Sequence, residues 1–430
     1  MAKIGEPFDS TLLDEIRDKF YYVNYDPDMG KRIFFENSGG SLRLKESVRV
    51  KSEYEQFPDC PERVHERALF LNEIQKRGTD DILNVICGAK SGALVTDLTA
   101  SEINFDVLGC IAENVTGMNI VTTALEHPSA FDAAQYHCAR TGKELRVAKA
   151  NPKTGGVDAE EIIKLIDKDT CCVSVMSASN ISGAVLDVEK IFKEAKKINP
   201  DIYCYTDAVQ HVPHAAVDVE KIGADALVFA PYKFFGTRGT GFAYISDRLS
   251  VLHHRKLIAK SRNVWQLGSP TPSNFASLSA IVDYVCWIGS QFAEHKLTRR
   301  EQFLLGMDKI RAHETALFDH MLNGTKEIQG LRSIPGVHVY FDDGDLAHKD
   351  LILAIAIDGI DYKECVKEYA RRGVTVYERV TDSIYSKRML DAFGLKGAIR
   401  ISPIHCHSFE DVEEFLIITK KIAEMAARTE

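Results

Sequence analysis

The sequence predicts an α/β fold built on a mostly parallel sheet, with a second, smaller α+β unit towards the C-terminus. Between residues 80 and 245, short apolar runs alternate with amphipathic stretches, which is typical of a parallel sheet covered by helices on both faces. The run at 202–206 is apolar almost throughout, as expected of a strand buried on both sides. After residue 274 the pattern changes to long helices and then to further strands, so we expect one large and one small domain.

The strands and helices follow from these runs in chain order. The large sheet is predicted to contain strands at 93–98, 118–124, 171–176, 202–206, 226–230 and 241–245, with helices at 159–166 and 188–198. Residues 274–328 are predicted to be mainly helical, with a long linking helix near 296–322. The C-terminal unit is predicted to contain strands at 337–341, 351–357, 374–377 and 398–402 and helices at 362–371 and 409–426. The predicted divisions are an N-terminal segment of residues 1–35, a large domain of residues 36–300 and a small domain of residues 301–430.

The composition argues against several classes of function. A net charge of -9 over 430 residues disfavours binding to nucleic acids or membrane surfaces, because both need a basic surface. No apolar run approaches the roughly 20 residues of a membrane span, and the N-terminal residues mix acids with bases, so a cytoplasmic protein is expected. The ten cysteines are scattered without a paired motif, which predicts neither disulfides nor a metal site. The cluster His405-Cys406-His407 has no partner cluster elsewhere, so no metal is predicted there either.

Two residues that follow buried strands indicate the chemistry. Asp207 ends the strand predicted at 202–206, and Lys233 follows the strand predicted at 226–230, just before a glycine-rich stretch. Either residue alone has an ordinary explanation, since an Asp often caps a helix and a Lys often reaches past a strand to water. Together, at the carboxyl ends of neighbouring strands, they match the needs of pyridoxal phosphate (PLP). A lysine holds that cofactor as a Schiff base, and a carboxylate keeps its ring nitrogen protonated.

The segments around these two residues carry a family resemblance. The segments are TDAVQHVPHAAVDV, which contains Asp207, and FAPYKFFGTRGTGFAY, which contains Lys233; the two residues are 26 positions apart. They resemble the signatures of the class V aminotransferase, or cysteine-desulfurase-like, family of PLP enzymes, and the likeness extends from about residue 34 to 412. It implies the fold type I transferase fold, with a mostly parallel seven-stranded sheet and a small α+β C-terminal domain. It also implies a homodimer, with Asp207 at the ring nitrogen, Gln210 at the 3′ oxygen and Lys233 as the Schiff-base lysine.

Further segments resemble the family's cofactor contacts. In VTDLTASEIN, Thr99 and Ala100 would begin a helix that cradles the phosphate. The alternative is that this segment is an ordinary helix N-cap that binds no ligand. In TTALEHPSAF, His127 would stack on the cofactor ring, the alternative being a structural histidine. In SASNISGAV, Asn180 would lie near the 3′ oxygen and the substrate carboxylate. Tyr232 stands where the desulfurases have a histidine that touches the phosphate.

The resemblance also implies contacts with the substrate and the partner subunit. In WQLGSPTPSNFAS, Ser269 takes the place of a threonine that reaches the partner subunit's phosphate, and GAIRISPIHCHSFEDVEEF contains Arg400. Arg400 would hold the substrate carboxylate through its bidentate guanidinium, the alternative being a surface charge on an edge strand. Asn37 is assigned to the substrate together with Arg400 and Asn180.

One departure from the family leaves the reaction open. Desulfurases carry a nucleophilic cysteine in the loop that corresponds to residues 377–385, which here contain none. Neither Cys365, in the preceding helix, nor Cys406, beyond Arg400, is well placed to accept sulfur. Four polar residues of this loop either read a substrate side chain or act as acid/base groups, the alternative being a solvated loop: Glu378, Arg379, Asp382 and Tyr385.

The function that these features predict is that of a PLP-dependent enzyme acting on an amino acid, by transamination or by lyase chemistry at Cα or Cβ. The alternatives are a cysteine desulfurase or selenocysteine lyase, and a non-catalytic homologue. A nicotinamide-dependent dehydrogenase is disfavoured, because no G-x-G-x-x-G motif follows the first buried strand.

Overall fold

The computed structural model describes residues 5–428. The α-helices of this part of the chain are α1 Ser10–Asp18, α2 Lys45–Tyr54, α3 Glu66–Asp80, α4 Ala100–Asn114, α5 Pro128–Thr141, α6 Ala159–Ile163, α7 Val188–Ile198, α8 Val219–Ile222, α9 Asp247–Ser250, α10 Pro272–Gln291, α11 Arg299–Asn323, α12 Tyr362–Arg371, α13 Lys387–Phe393 and α14 Phe409–Ala426. The strands are β1 Tyr25–Asp26, β2 Gly30–Lys31, β3 Ile33–Phe34, β4 Ala93–Asp97, β5 Asn119–Thr123, β6 Glu144–Ala148, β7 Thr170–Met176, β8 Tyr203–Asp207, β9 Ala226–Phe229, β10 Gly241–Ile245, β11 Val337–Tyr340, β12 Leu353–Ile357, β13 Val374–Thr375, β14 Tyr377–Val380 and β15 Gly397–Ile401.

The central sheet has seven strands in the order β4-β10-β9-β8-β7-β5-β6. All neighbours are parallel except β10, which runs antiparallel to both β4 and β9. The predicted mostly parallel seven-stranded sheet is therefore confirmed. The sequence located six of its strands and missed β6. That strand lies at the edge of the sheet and only its last residue is buried, so it lacks the apolar run that marks the central strands.

A second, antiparallel sheet lies towards the C-terminus, in the order β11-β12-β15-β14. Its inner strands, β12 and β15, are buried along their whole length. The single strand predicted at 374–377 is divided in two: β13 leaves this sheet to pair with β3, and β14 pairs with β15. The prediction that residues 377–385 form a loop is therefore wrong for Tyr377–Val380, of which the strand predicted at 374–377 includes only Tyr377; their backbone groups continue the ladder opposite β15.

The N-terminal segment is joined to the C-terminal sheet by its backbone. Strand β3 runs parallel to β13, the Ser402 N–H donates to the Phe35 carbonyl at 2.7 Å, and the Asn37 N–H donates to the Ser402 carbonyl at 3.1 Å. Ile33 and Phe35 pack in the same apolar core as the strands of the second sheet. These contacts bring Glu36 next to β15. The domain boundaries predicted from the sequence stay a prediction.

Between residues 5 and 428, no helix is both long enough and apolar enough to cross a membrane.

Candidate active site

A cavity of about 170 Å³ opens at the carboxyl ends of β8 and β9. Eight of the predicted site residues line it: Thr99, Ala100, His127, Asn180, Asp207, Gln210, Tyr232 and Lys233. The carboxyl ends of parallel strands are where ligand sites form in α/β sheets, so segments far apart in the sequence converge here. The other three predicted residues, Arg400, Asn37 and Ser269, do not line this cavity.

Asp207 is held in one orientation at the end of β8. Its Oδ1 accepts a hydrogen bond from the Val209 N–H at 3.0 Å, and its Oδ2 accepts one from the Asn104 Nδ2 at 3.2 Å. The Tyr205 hydroxyl in turn donates to Asn104 Oδ1. Asn104 was not among the predicted site residues, although it is the last residue of the segment VTDLTASEIN. Burial raises the pKa of Asp207 above its ordinary value, although these hydrogen bonds act to lower it. A cationic ring nitrogen beside this carboxyl group would compensate the burial.

Lys233 projects from the turn after β9, and only 7% of it is exposed. Its Nζ donates to Gln210 Oε1 at 3.2 Å. Burial, followed by the charge of Arg400, lowers the pKa of Lys233 to about 7. At neutral pH a large fraction of the amine is therefore unprotonated, which is the form that attacks an aldehyde.

His127 enters the cavity as the residue that caps α5. Its Nδ1 accepts from the Ser129 N–H at 3.2 Å, so the ring proton is on Nε2. Burial and the neighbouring Lys233 lower the pKa of His127 to about 3, and the ring is neutral. A neutral, flat ring suits stacking on a cofactor ring, which remains a prediction for this residue.

One end of the cavity is suited to an anion. Helix α4 begins at Ala100, and the Thr99 hydroxyl already accepts from the Glu102 N–H, which leaves earlier N–H groups of the helix start for a ligand. Arg238, also in the cavity wall, lies 4.3 Å from the centre of the Tyr232 ring. Arg238 was not among the predicted site residues, although it lies inside the glycine-rich stretch after Lys233. An anion end, a buried amine and a buried carboxyl group in one cavity match the phosphate, aldehyde and ring nitrogen of PLP.

Arg400 adjoins the cavity from β15. Its Nη1 donates to the Asn180 carbonyl at 2.9 Å, and its Nη2 donates to Glu36 Oε1 at 2.5 Å. It is 2% exposed and lies on an inner strand, so the alternative of a surface charge on an edge strand is wrong. Burial raises the pKa of Glu36, although Arg400 acts to lower it. No sequence pattern predicted Glu36 here, because the pairing of the N-terminal segment with β15 is a long-range contact.

The remaining two predicted residues are engaged elsewhere. The Asn37 amide donates to the Phe34 and Ser402 carbonyls, and its oxygen accepts from the Leu42 N–H. Ser269 lines a separate and larger cavity of about 990 Å³. Ser269 also reaches Glu62, whose pKa is lowered by hydrogen bonds from Cys60 and Ser269. The proposed contacts of Asn37 with substrate and of Ser269 with a partner subunit stay predictions.

The cysteines are free thiols, and all but Cys60 are buried. Burial raises the pKa of Cys365 to about 12 and also raises that of Cys406, so neither forms a thiolate at neutral pH. The segment after β14, residues 381–386, has no cysteine. Across residues 5–428, no three His, Cys, Asp or Glu side chains are grouped as metal ligands.

Comparison with known proteins identifies the relatives of this chain. The model of the family described as Aminotransferase class-V matches residues 33–415. A protein named "Probable cysteine desulfurase" from Borreliella burgdorferi is 27% identical over 431 residues, covering 95% of each chain. "Cysteine desulfurase IscS" from Dictyoglomus turgidum is 32% identical over 278 residues, covering 64% of this chain and 66% of the relative. The apo structure of cysteine desulfurase from Thermococcus onnurineus NA1 superposes with a TM-score of 0.79 at 22% identity, covering 96% of this chain and 98% of the other; this likeness bears on the fold.

Proposed function

This chain belongs to the class V aminotransferase family, a family of PLP-dependent enzymes, and on that premise we propose that Lys233 carries the cofactor and that the enzyme acts on a free amino acid at Cα or Cβ. The observation that carries this proposal is the convergence of Lys233, Asp207 and the anion end near Ala100 in one cavity. A purely structural role for these residues would not require a buried amine with a lowered pKa beside a buried carboxyl group.

Bound PLP supplies an electron sink for the electrons released at the substrate's Cα. The protein's own residues do the rest. Asp207, fixed by Asn104 and the Val209 N–H, holds the proton at the ring nitrogen. Lys233, with a pKa of about 7, can accept and return a proton at neutral pH. Arg400 orients the substrate by binding the substrate's carboxylate, since the Arg400 guanidinium lies next to the Asn180 carbonyl at the cavity wall.

The residues of the site are compatible with several reaction types. Transamination, elimination or cleavage at Cβ, and epimerisation all start from the same bound amino acid. The family relatives named as cysteine desulfurases support a desulfurase or selenocysteine lyase as the second candidate. The segment after β14 carries no thiol, and Cys365 and Cys406 are buried, so we propose transamination or lyase chemistry without a protein persulfide. The intact set of Lys233, Asp207 and Arg400 argues against a non-catalytic homologue.

The assembly and compartment belong to the same proposal. We infer a homodimer in which Ser269 reaches the partner subunit's phosphate. Ser269 lines a large cleft on the surface of one subunit rather than its own cofactor cavity. The free thiols support a reducing, cytoplasmic location.

Spectroscopy and a substrate panel test the proposal. The purified protein, reconstituted with PLP, should show the visible absorption band of a lysine Schiff base. One or a few amino acids should change that band and yield either a keto acid, ammonia with pyruvate, or alanine. The first product favours transamination and the others favour elimination or cleavage. A protein that gains no band with PLP would contradict the proposal.

A further inference from the structure

Arg379, whose role the sequence leaves open, lies beside Arg400. In the ladder of β14 and β15, Tyr377 pairs with Arg400 and Arg379 pairs with Ala398. Directly paired residues share a face of the sheet, so the two arginines are diagonal neighbours, with Cβ atoms roughly 7 Å apart. The Tyr377 ring lies against both guanidinium groups, with its centre 5.9 Å from that of Arg379 and 5.5 Å from that of Arg400.

The Arg379 guanidinium is buried and lacks an anionic partner. The residue is 5% exposed. Its Nη2 donates to the Tyr385 carbonyl at 2.7 Å, and its Nε has no partner. No carboxylate among residues 5–428 forms an ion pair with it, whereas Arg400 has Glu36. Burial and the charge of Arg400 lower the pKa of Arg379 to about 9. A buried cation without a counter-charge is unfavourable, unless a ligand supplies the missing charge.

Among residues 5–428, the carboxyl groups near Arg379 are either engaged with other residues or largely uncharged. Glu36 is engaged with Arg400, and Asp207 is held by Asn104 at the far side of the cavity. Burial raises the pKa of Glu126 to about 8, so that carboxyl group is largely uncharged at neutral pH. Arg388, which like Arg379 acts on His127, adds positive charge, because its hydrogen bonds go to the uncharged carbonyls of Ala124 and Glu126.

This excess of positive charge acts on two residues that line the cavity. The Arg379 charge acts on Lys233 and on His127, lowering the pKa of each. Tyr385, whose carbonyl binds Arg379, has its ring 6.4 Å from the ring of His127. Arg379 is therefore positioned to meet the far end of an amino acid whose α-carboxylate is at Arg400.

We propose that Arg379 binds a second anionic group, at the side-chain end of the substrate, and that the enzyme acts on acidic amino acids. This inference rests on the proposed function, because it takes the α-carboxylate to be held by Arg400. A guanidinium can bind a carboxylate through two parallel N–H donors, and Arg379 has its Nε free for such a pair. The alternative is a structural role for Arg379, limited to holding the Tyr385 carbonyl.

Unreactive ligands test the inference without turnover. Succinate and its monoamide, succinamate, have nearly the same shape and differ by one negative charge. Calorimetric titration of the PLP-loaded protein should show succinate binding about 10-fold or more tightly than succinamate, the scale expected of charge-assisted hydrogen bonds. In Arg379→Gln this preference should disappear while the affinity for succinamate stays the same. Arg371→Gln, an exposed arginine of α12, is the matched control and should keep the wild-type preference.

Each outcome decides between the roles. Equal affinity of the wild-type protein for the two ligands would overturn the inference even if Arg379→Gln failed to fold. An unchanged preference in folded Arg379→Gln would overturn the assignment to Arg379. Loss of succinamate binding in that variant would show that Arg379 holds the carboxylate common to both ligands, which also overturns it. A normal cofactor band with turnover of neutral amino acids alone would leave the proposed function intact while the inference fails, and absence of the band would remove both.

Discussion

The two sides of the cavity are constructed differently. On the side of β8 and β9, Asp207 and Lys233 lie in two short segments at the ends of neighbouring strands, and each has a neutral hydrogen-bonding partner, Asn104 and Gln210. On the side of β14 and β15, Arg400 pairs with Glu36 from the N-terminal segment, whereas Arg379 has no carboxylate partner among residues 5–428. On the cofactor side, the amine of Lys233 and the carboxyl group of Asp207 therefore balance each other in charge. The substrate side has a surplus of positive charge. We therefore expect the first side to be complete with PLP alone and the second side to require the substrate's anionic groups.

The largest effect is expected on the cofactor side, from Lys233→Ala. Removing the amine should abolish covalent attachment of PLP, because no other amine lines the cavity in the part of the chain that is described. Borohydride reduction of the wild-type protein, followed by peptide mapping, checks this by showing which lysine carries the pyridoxyl group. Lys349 provides a comparison, because it is also buried but donates to the Thr154 and Phe341 carbonyls away from the cavity. A label on Lys349 or on any lysine other than Lys233 would refute the assignment.

The next effect should come from Asp207→Asn. The amide cannot hold the proton of the ring nitrogen by charge, so we expect kcat to fall by about 10²-fold or more, as for other lost electrostatic stabilisers. The cofactor band should remain, because Lys233 is unchanged. Asp201→Asn is the control: Asp201 is exposed and precedes the same strand at its other end. Turnover of Asp207→Asn close to that of the control would exclude this role.

The same contrast explains what the sequence could predict. The cofactor side depends on contiguous segments, each with a strand, a turn and a polar residue in fixed order, and these patterns indicated Asp207, Gln210 and Lys233 as neighbours. The substrate side depends on the pairing of residues that are hundreds of positions apart, such as Glu36 with Arg400. No sequence pattern close to Glu36 predicts its contact with Arg400. Strand β14 was predicted as loop for a related reason, since its four residues alternate little in polarity and their burial is decided by β15.

Arg400→Lys tests the substrate side. Lysine keeps the charge but loses the planar fork that reaches both the Asn180 carbonyl and Glu36. We expect kcat/KM for the best amino acid to fall by about 10-fold, mainly through KM, which is the scale of one charge-assisted hydrogen bond. The cofactor band should not change. Arg146→Lys, in a strand arginine paired with Asp167 at the edge of the sheet, should have no effect on either constant. Unaltered kinetics of Arg400→Lys would exclude the clamp.

The smallest effect is expected from Cys60→Ser, which tests whether a thiol takes part at all. Cys60 is the one cysteine that is not buried, and its Sγ donates to Glu62 in the region of Ser269. A persulfide route requires a thiolate that reaches the substrate's sulfur, and Cys365 and Cys406 have raised pKa values and no exposure. We therefore expect Cys60→Ser to keep the wild-type activity.

Intact-mass measurement after incubation with L-cysteine and alkylation provides the direct check on that expectation. No cysteine of the wild-type protein should gain the mass of one sulfur, and any keto acid should form without such an adduct. A stable gain of one sulfur on Cys60, lost together with activity in Cys60→Ser, would instead establish the desulfurase reaction. The acceptor thiol would then come from outside the segment after β14. Because Cys60 and Ser269 both contact Glu62, that result would also place sulfur transfer at the cleft where we infer the partner subunit.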